Sequence, residues 1–275
     1  MKFSVLMSVY INENADFFEK SLWSILDNQS LKPDEFVLVC DGTLNTELDE
    51  IIEKYISFYP DILRVYRLDH NQGLGKALNF GLSYCSNEYI ARADSDDLCA
   101  EDRFKKQMDY LGLHPDVAVL GSDIFEFDQD PSNPKFRKSM PSSHDLILKM
   151  AKFRNPVNHM TVVFKKSAVE AVGSYIHLPQ VEDYYLWVRL LVHGYKIENL
   201  KEPLVFARVG NGMAKRRGNK AYIKSWFVLC QYMYKNRMIN RFVLVRNLIS
   251  VSFFVLLPAN WKQFLYKQLL REKDV

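Results

Sequence analysis

The chain has 275 residues, with 36 Lys+Arg against 33 Asp+Glu, 48% hydrophobic and 25% charged residues, and a formal net charge of +3. That composition excludes a disordered or collagen-like chain and fits one large domain with an appendage, or two small domains. The near-neutral total hides a split, +12 over residues 201–275 against −9 over residues 1–200, which points to a polyanion facing the basic end, either nucleic acid or a membrane surface.

The N-terminal stretch MKFSVLMSVYINEN has an apolar run, Phe3–Ile11, that is short, holds two serines and precedes no small-x-small cleavage site. A buried first strand over Phe3–Tyr10 is therefore a better reading than a signal peptide. Ala15–Leu26 is predicted helical from Phe18, Leu22, Ile25 and Leu26, spaced by three and four. Glu35–Cys40 is a second strand stopped by Asp41-Gly42, a turn signal. A helix over 48–56, a strand over Ile62–Leu68, a turn at Asn71-Gln72-Gly73, a helix over Leu74–Tyr84 and a strand over Glu88–Ala93 follow. This alternation predicts a mostly parallel α/β sheet with right-handed crossovers.

Further on, residues 101–113 are predicted helical, 116–165 mixed strands and loops with a loop over Asp128–Lys138, and Val181–Val192 helical; Leu204–Ala207 is the last core strand. After Pro203 the chain turns basic and aromatic. The four cysteines, Cys40, Cys85, Cys99 and Cys230, lie far apart without a C-x-x-C pair. They fit neither a zinc site nor a disulfide framework and suit a reducing, cytoplasmic compartment.

The fourth strand ends in Asp94-Ser95-Asp96-Asp97. In open parallel sheets ligands gather at the carboxyl ends of strands. Three carboxylates there suit a hard divalent cation, Mg²⁺ or Mn²⁺, that also holds a substrate phosphate. The alternative is a turn with Asp97 or Asp102 capping the next helix. The other strand ends supply Ser8 and Tyr10, then Asp41, and the segment NQGLGKALNFGL containing Lys76. A hydroxyl, a ring and a carboxylate can together read a flat base such as uracil.

In order and spacing, SVLMSVY, VLVCDGT, NQGLGKALNFGL and YIARADSDD resemble the nucleotide-binding half of family 2 glycosyltransferases. The resemblance runs from residue 3 to about 210. It implies the GT-A fold, Rossmann-like with a mostly parallel central sheet flanked by helices. It also implies that Ser8, Tyr10 and Asp41 contact the nucleoside, that Asp94 and Asp96 bind the metal with Asp97 in support, and that Lys76 lies near the diphosphate. The chain departs from the family's usual pair of acids before Gly42 by having Cys40 in the first place.

The segment QVEDYYLWVRL is the second anchor. Carboxylates at Glu182 and Asp183 are favoured at a helix N-terminus, so capping by Asp183 is one reading. The resemblance implies the other: Asp183 as the general base of an inverting transferase, with Glu182 beside it. It also implies an acceptor-side place for His159, for which a structural histidine is the alternative, and a sugar-pocket loop at Gly173-Ser174-Tyr175, for which a helix C-cap is the alternative. Lys215-Arg216-Arg217, flanked by glycines, suits a flap meeting the donor diphosphate; a solvated basic loop is the alternative.

Residues 220–235 form an amphipathic helix with Lys220, Lys224, Gln231 and Lys235 within one stripe. Phe242–Leu257 is apolar nearly all round, is interrupted by Arg246 and Asn247, and falls short of a membrane span. Trp261, Phe264, Leu265, Tyr266 and Leu269 then alternate with Lys262, Lys267 and Arg271. Bases among interfacial aromatics fit an anionic leaflet; a helical subdomain or dimer interface is the alternative. Nucleic acid is not expected, because no nucleic-acid-binding motif is present.

The expectation is thus a GT-A catalytic domain over 1–210, divided at residue 100 into donor and acceptor halves, and a membrane-associated helical region over 211–275. In texture the chain resembles bacterial enzymes of O-antigen, capsule or exopolysaccharide synthesis. That likeness implies a UDP-sugar donor, a polyprenyl-diphosphate-linked saccharide acceptor and a place on the inner face of the cell membrane. A sugar-nucleotide-forming nucleotidyltransferase would want glycines after the first strand, where Ile11-Asn12-Glu13-Asn14 stands instead. A non-catalytic membrane-associated saccharide-binding protein is the other rival.

Overall fold

The computed structural model describes residues 1–209 and 220–257. Four strands, β1 (Phe3–Val9), β2 (Glu35–Cys40), β3 (Leu63–Arg67) and β4 (Tyr89–Arg92), pair in parallel in the order β3-β2-β1-β4. Their crossovers are α1 (Ala15–Leu26), α2 (Thr46–Phe58) and α3 (Leu74–Tyr84). These follow the predicted apolar stripes to within two residues. The first two helices start where Asn14 and Asn45 accept the Phe17 and Leu48 amides at 3.1 and 2.9 Å, supplying orphan donors of the first turn with an acceptor.

Side chains alternate across a strand, and β1 shows what this does to the core. Phe3, Val5, Met7 and Val9 pack with Phe18, Leu22 and other residues of one cluster, while Leu6 packs with Leu78 and Trp187 on the other face. Both faces are dry, which explains why β1 reads as a continuous apolar run.

The second half of the sheet is mixed. It comprises β5 (Leu98–Cys99), β6 (Val117–Phe127), β7 (Phe136–Lys138), β8 (Val163–Lys165) and β9 (Lys196–Arg208). β8 joins β4 antiparallel, β6 runs antiparallel to β8, and β9 runs parallel to β6. Helices α4 (Arg103–Leu113), α5 (His144–Met150), α6 (Lys166–Ala171) and α7 (Glu182–Val192) complete the core. Three expectations need correction. The 116–165 stretch is not all strands and loops, since α5 lies within it. The 128–138 segment is not all loop, since β7 occupies its end. The last core strand begins at Lys196, not Leu204; its first half is polar and irregular in register, so it lacks an apolar strand pattern.

Helices α8 (Lys220–Lys235) and α9 (Arg241–Leu256) follow. Tyr184 and Val188 of α7 pack with Trp226, Leu229 and Met233 of α8, and the Tyr184 and Trp226 rings meet edge-on at 5.6 Å. Burying a side chain such as Leu229 contributes about 2 kcal/mol, so α8 is held on the core by its apolar face. Among the described residues no helix is long and apolar enough to cross a membrane. All four cysteines are free and buried.

Candidate active site

The parallel register brings the chemistry to one edge. Leu6 pairs with Arg92 and Val9 with Cys40, so Ser8, Tyr10, Asp41 and Asp94 all leave the sheet at the carboxyl ends of β1, β2 and β4. Ser8 is half-buried and Tyr10 exposed.

Asp41 is buried and organises the neighbouring loop. Its two carboxylate oxygens accept the amides of Gln72 and Gly73 at 2.7 and 2.9 Å, and Asn71 Nδ2 donates to its carbonyl at 3.2 Å. Gly42 makes this approach possible, with φ of 91° and a Cβ position 2.7 Å from Asn71 N. A carboxylate oxygen carries a second lone pair, so Asp41 retains acceptor capacity beyond these bonds. Lys76 is exposed in the first turn of α3, beside this loop.

Asp94, Asp96 and Asp97 present oxygens within 4.8 Å of one another. Asp94 pairs with Arg92. Asp97 accepts the Arg208 amide at 2.8 Å, and Arg208 Nε donates to the Asp96 carbonyl at 3.3 Å. The Arg208 guanidinium lies 3.6 Å from the Phe17 ring centroid. Neither candidate cap serves as one: Asp97 is spent on Arg208, and Asp102 makes no side-chain cap bond. Burial, then the charges of Asp94 and Asp96, push the Asp97 carboxyl well above the usual carboxylate range. Crowded oxygens of this type are what a hard divalent cation requires, so the donor set fits Mg²⁺ or Mn²⁺.

Glu182 and Asp183 open α7, whose N-cap is Val181 without a side-chain cap bond. Asp183 instead accepts from Asn155 Nδ2 at 2.6 Å. The Glu182 side chain packs on α3, since a Cβ on Gly75 would stand 2.9 Å from Glu182 Cγ. The start of α7 therefore touches the first turn of α3. Burial pushes the Glu182 carboxyl up to about 7, with amides of the 180–182 backbone opposing and Asp183 adding to the rise.

His159 lies in a 3₁₀ turn (His159–Thr161), its Nε2 2.9 Å from the Tyr175 hydroxyl and its ring 5.9 Å from that of Trp187. Burial, with the Arg92 charge, lowers the imidazole well below its ordinary value. Gly173 takes φ of 86° after α6, and Ser174 N donates to the Val169 carbonyl at 2.9 Å, so the C-cap reading of this loop holds. Arg189 of α7 donates to the carbonyls of Val172 and Ser174 and thereby fixes Tyr175. The Tyr175 hydroxyl is raised by burial, opposed by Arg92, and raised further by Asp183 and Asp94. Both acidic groups thus lie within electrostatic reach of one buried ring.

Three residues in this arrangement were not singled out from the sequence. Arg92 is fully buried, and its Nε and Nη1 have no hydrogen-bond partner. A charged residue inside an apolar strand, two places before Asp94, was the available signal. Glu13 accepts from Ser95 inside the acidic loop, and Asn155 holds Asp183; neither carries a sequence signal of its own. Arg216, Arg217 and the aromatic run after Pro258 lie outside the described residues.

The sheet order, with acids gathered at the carboxyl ends of its parallel strands, is that of a GT-A-type fold. The family model "Glycosyl transferase family 2" matches residues 4–172, and the chain belongs to that family. It is 36% identical over 270 residues to the UDP-Gal:alpha-D-GlcNAc-diphosphoundecaprenol beta-1,3-galactosyltransferase of Escherichia coli, covering 98% of this chain and 97% of that one. It is 40% identical over 223 residues to the amylovoran biosynthesis glycosyltransferase AmsE of Erwinia amylovora, covering 81% and 82%. Among solved structures, S. aureus TarS 1–349 in complex with UDP-GlcNAc superposes with a TM-score of 0.70 at 19% identity, over 98% of this chain and 76% of that one. The chain is a glycosyltransferase.

Proposed function

We propose that residues 1–210 transfer a sugar, with inversion, from a UDP-sugar to a polyprenyl-diphosphate-linked saccharide, and that residues 211–275 hold the enzyme on the inner face of the cell membrane. The observation carrying this reading is the geometry of the acids: Asp94, Asp96 and Asp97 crowd their oxygens within 4.8 Å where β4 ends, and Asn155 holds Asp183 at the start of α7. The E. coli relative, named for UDP-Gal and a diphosphoundecaprenol acceptor, and the UDP-GlcNAc complex of TarS support the donor and acceptor classes.

In this reading the acceptor hydroxyl attacks the anomeric carbon and passes its proton to Asp183. The anomeric C–O bond to the diphosphate breaks, and the nucleoside diphosphate leaves with the electron pair. A divalent cation held by Asp94 and Asp96 would neutralise that leaving group. Ser8, Tyr10 and Asp41 hold the nucleoside. Lys76, with Arg216 and Arg217, meets the diphosphate, and His159 and Glu182 border the acceptor. One displacement without a covalent sugar–enzyme intermediate inverts the anomeric centre.

The test is a nucleotide-sugar panel scored by thermal shift with Mn²⁺ and then by transfer to a polyprenyl-diphosphate saccharide. Release of nucleoside diphosphate that depends on acceptor supports the reading. Sugar-nucleotide synthesis from a sugar phosphate, or binding without turnover on every donor, overturns it.

A further inference from the structure

The sequence of α9 is apolar nearly all round, and packing resolves it into two faces. Val243, Leu244, Leu248, Val251 and Val255 join the cluster formed with α7 and α8. Asn247 is buried among them and donates to the Lys152 carbonyl at 2.8 Å, which pins the helix to the core. The other face is bare. Phe242, Ile249, Phe253 and Leu256 are 63% to 82% exposed, and Val245 is 46% exposed. Their spacing of three, four, four and three residues places all five in one stripe along the helix.

Arg241 and Arg246 stand on either side of this stripe in sequence order around the helix, both exposed. The Arg246 guanidinium lies 4.0 Å from the Phe153 ring centroid, and Phe153 is itself exposed. Residues 220–257 hold six bases (Lys220, Lys224, Lys235, Arg237, Arg241 and Arg246) and no acid.

We propose that the α9 stripe is a wedge that lies in the interface of an anionic bilayer, its five apolar side chains below the headgroups and its arginines among the lipid phosphates. Charge decides the occupant. A second copy docked through the same face would set two all-basic segments against each other, whereas an anionic leaflet complements them. The apolar stripe between flanking bases is the pattern of a helix lying in the membrane plane. The stripe also belongs to the helical layer that packs on α7, the helix opened by Asp183. The proposal deepens the reading of a lipid-linked acceptor and rests on it.

The experiment uses the full chain and sedimentation with vesicles of phosphatidylcholine, alone or with 30% phosphatidylglycerol by design. The variant carries Phe242→Ser, Ile249→Ser and Phe253→Ser. Its partition onto anionic vesicles is expected to fall by about tenfold or more, with UDP-dependent thermal shift and transfer to a short-chain, water-soluble acceptor unchanged. Binding at the wild-type level overturns the wedge, as does a change from dimer to monomer in solution without loss of vesicle binding. A second measurement uses Phe253→Cys carrying an environment-sensitive dye. A blue shift on anionic vesicles supports insertion, and a dye already shielded in buffer shows the stripe covered by protein and overturns it. Intact vesicle binding with no transfer to any acceptor would sink the transferase reading and leave the wedge standing.

Discussion

Asn155 Nδ2 lies 2.6 Å from Asp183 Oδ2 and donates a hydrogen bond to it. The bond leaves the α7 carboxylate oriented by a neighbouring loop rather than by its own helix terminus. A carboxylate is acceptor-only and carries several lone pairs, so the Asn155 bond orients Asp183 without using up its capacity to accept.

Replacing Asp183 with Asn is therefore expected to lower kcat by about 10²–10⁴ with donor KM nearly unchanged. Asn155→Ala should cost about tenfold in kcat, as positioning is lost. Asn155→Asp sets a second carboxylate against Asp183, so one proton is held more tightly and the acid limb of the kcat–pH profile moves up by about one unit or more. An unmoved limb would show that Asp183 is not the group titrating in that profile.

The acidic loop gives a separate prediction. Asp96→Ala removes one of three oxygens that lie within 4.8 Å of one another. Turnover at saturating donor should fall by about 100-fold or more, and the added thermal shift from Mn²⁺ with UDP should vanish. The fold should persist, because Asp97 and Arg208 still tie the loop to β9. Unchanged metal-dependent turnover would remove Asp96 from the site.

Much of this architecture was legible from residue patterns. The three crossover helices carry apolar residues at helical spacing, and β1, β2 and β4 are apolar runs ending in polar or acidic residues, so the edge that gathers Ser8, Tyr10, Asp41 and Asp94 follows from topology. What escaped the sequence has tertiary causes. Arg92 is one base inside a strand, and its burial beside Asp94 follows from pairing with β1 and β8. Asn155 meets Asp183 across 28 residues, a contact no local spacing encodes. The bare face of α9 could not be told from its packed face by periodicity, because both are apolar; only the docking onto α7 and α8 separates them.

Gly42 tests how far the Asp41 loop depends on backbone geometry. Alanine there would place Cβ 2.7 Å from Asn71 N at a φ of 91°, so either the loop or the β2 end must move. A destabilisation of about 2–3 kcal/mol is expected, which is roughly 5–10 °C in Tm for a chain of this size. Because the 71–73 loop is what Asp41 holds, UDP affinity should fall with it. A variant with wild-type Tm and UDP affinity would show that the loop relaxes freely.

Glu182 gives stability a pH dependence whose sign is fixed. Its carboxyl is raised by burial from 4.5 to about 7 in the folded chain. Below pH 4.5 both folded and unfolded forms hold the proton, and the full stability is present. Between pH 4.5 and 7 the unfolded carboxyl ionises freely while the folded one keeps its proton, so stability falls as pH rises. Above pH 7 both are ionised and the loss is complete. The size is at most about 3 kcal/mol, and nearer 1 kcal/mol with solvent screening. Glu182→Gln cannot ionise and escapes this loss. Its urea midpoint should match the wild type at pH 4 and exceed it at pH 8, the gap opening between pH 4.5 and 7. A gap that is constant with pH, or that narrows as pH rises, would show that burial against Gly75 does not hold the proton on Glu182.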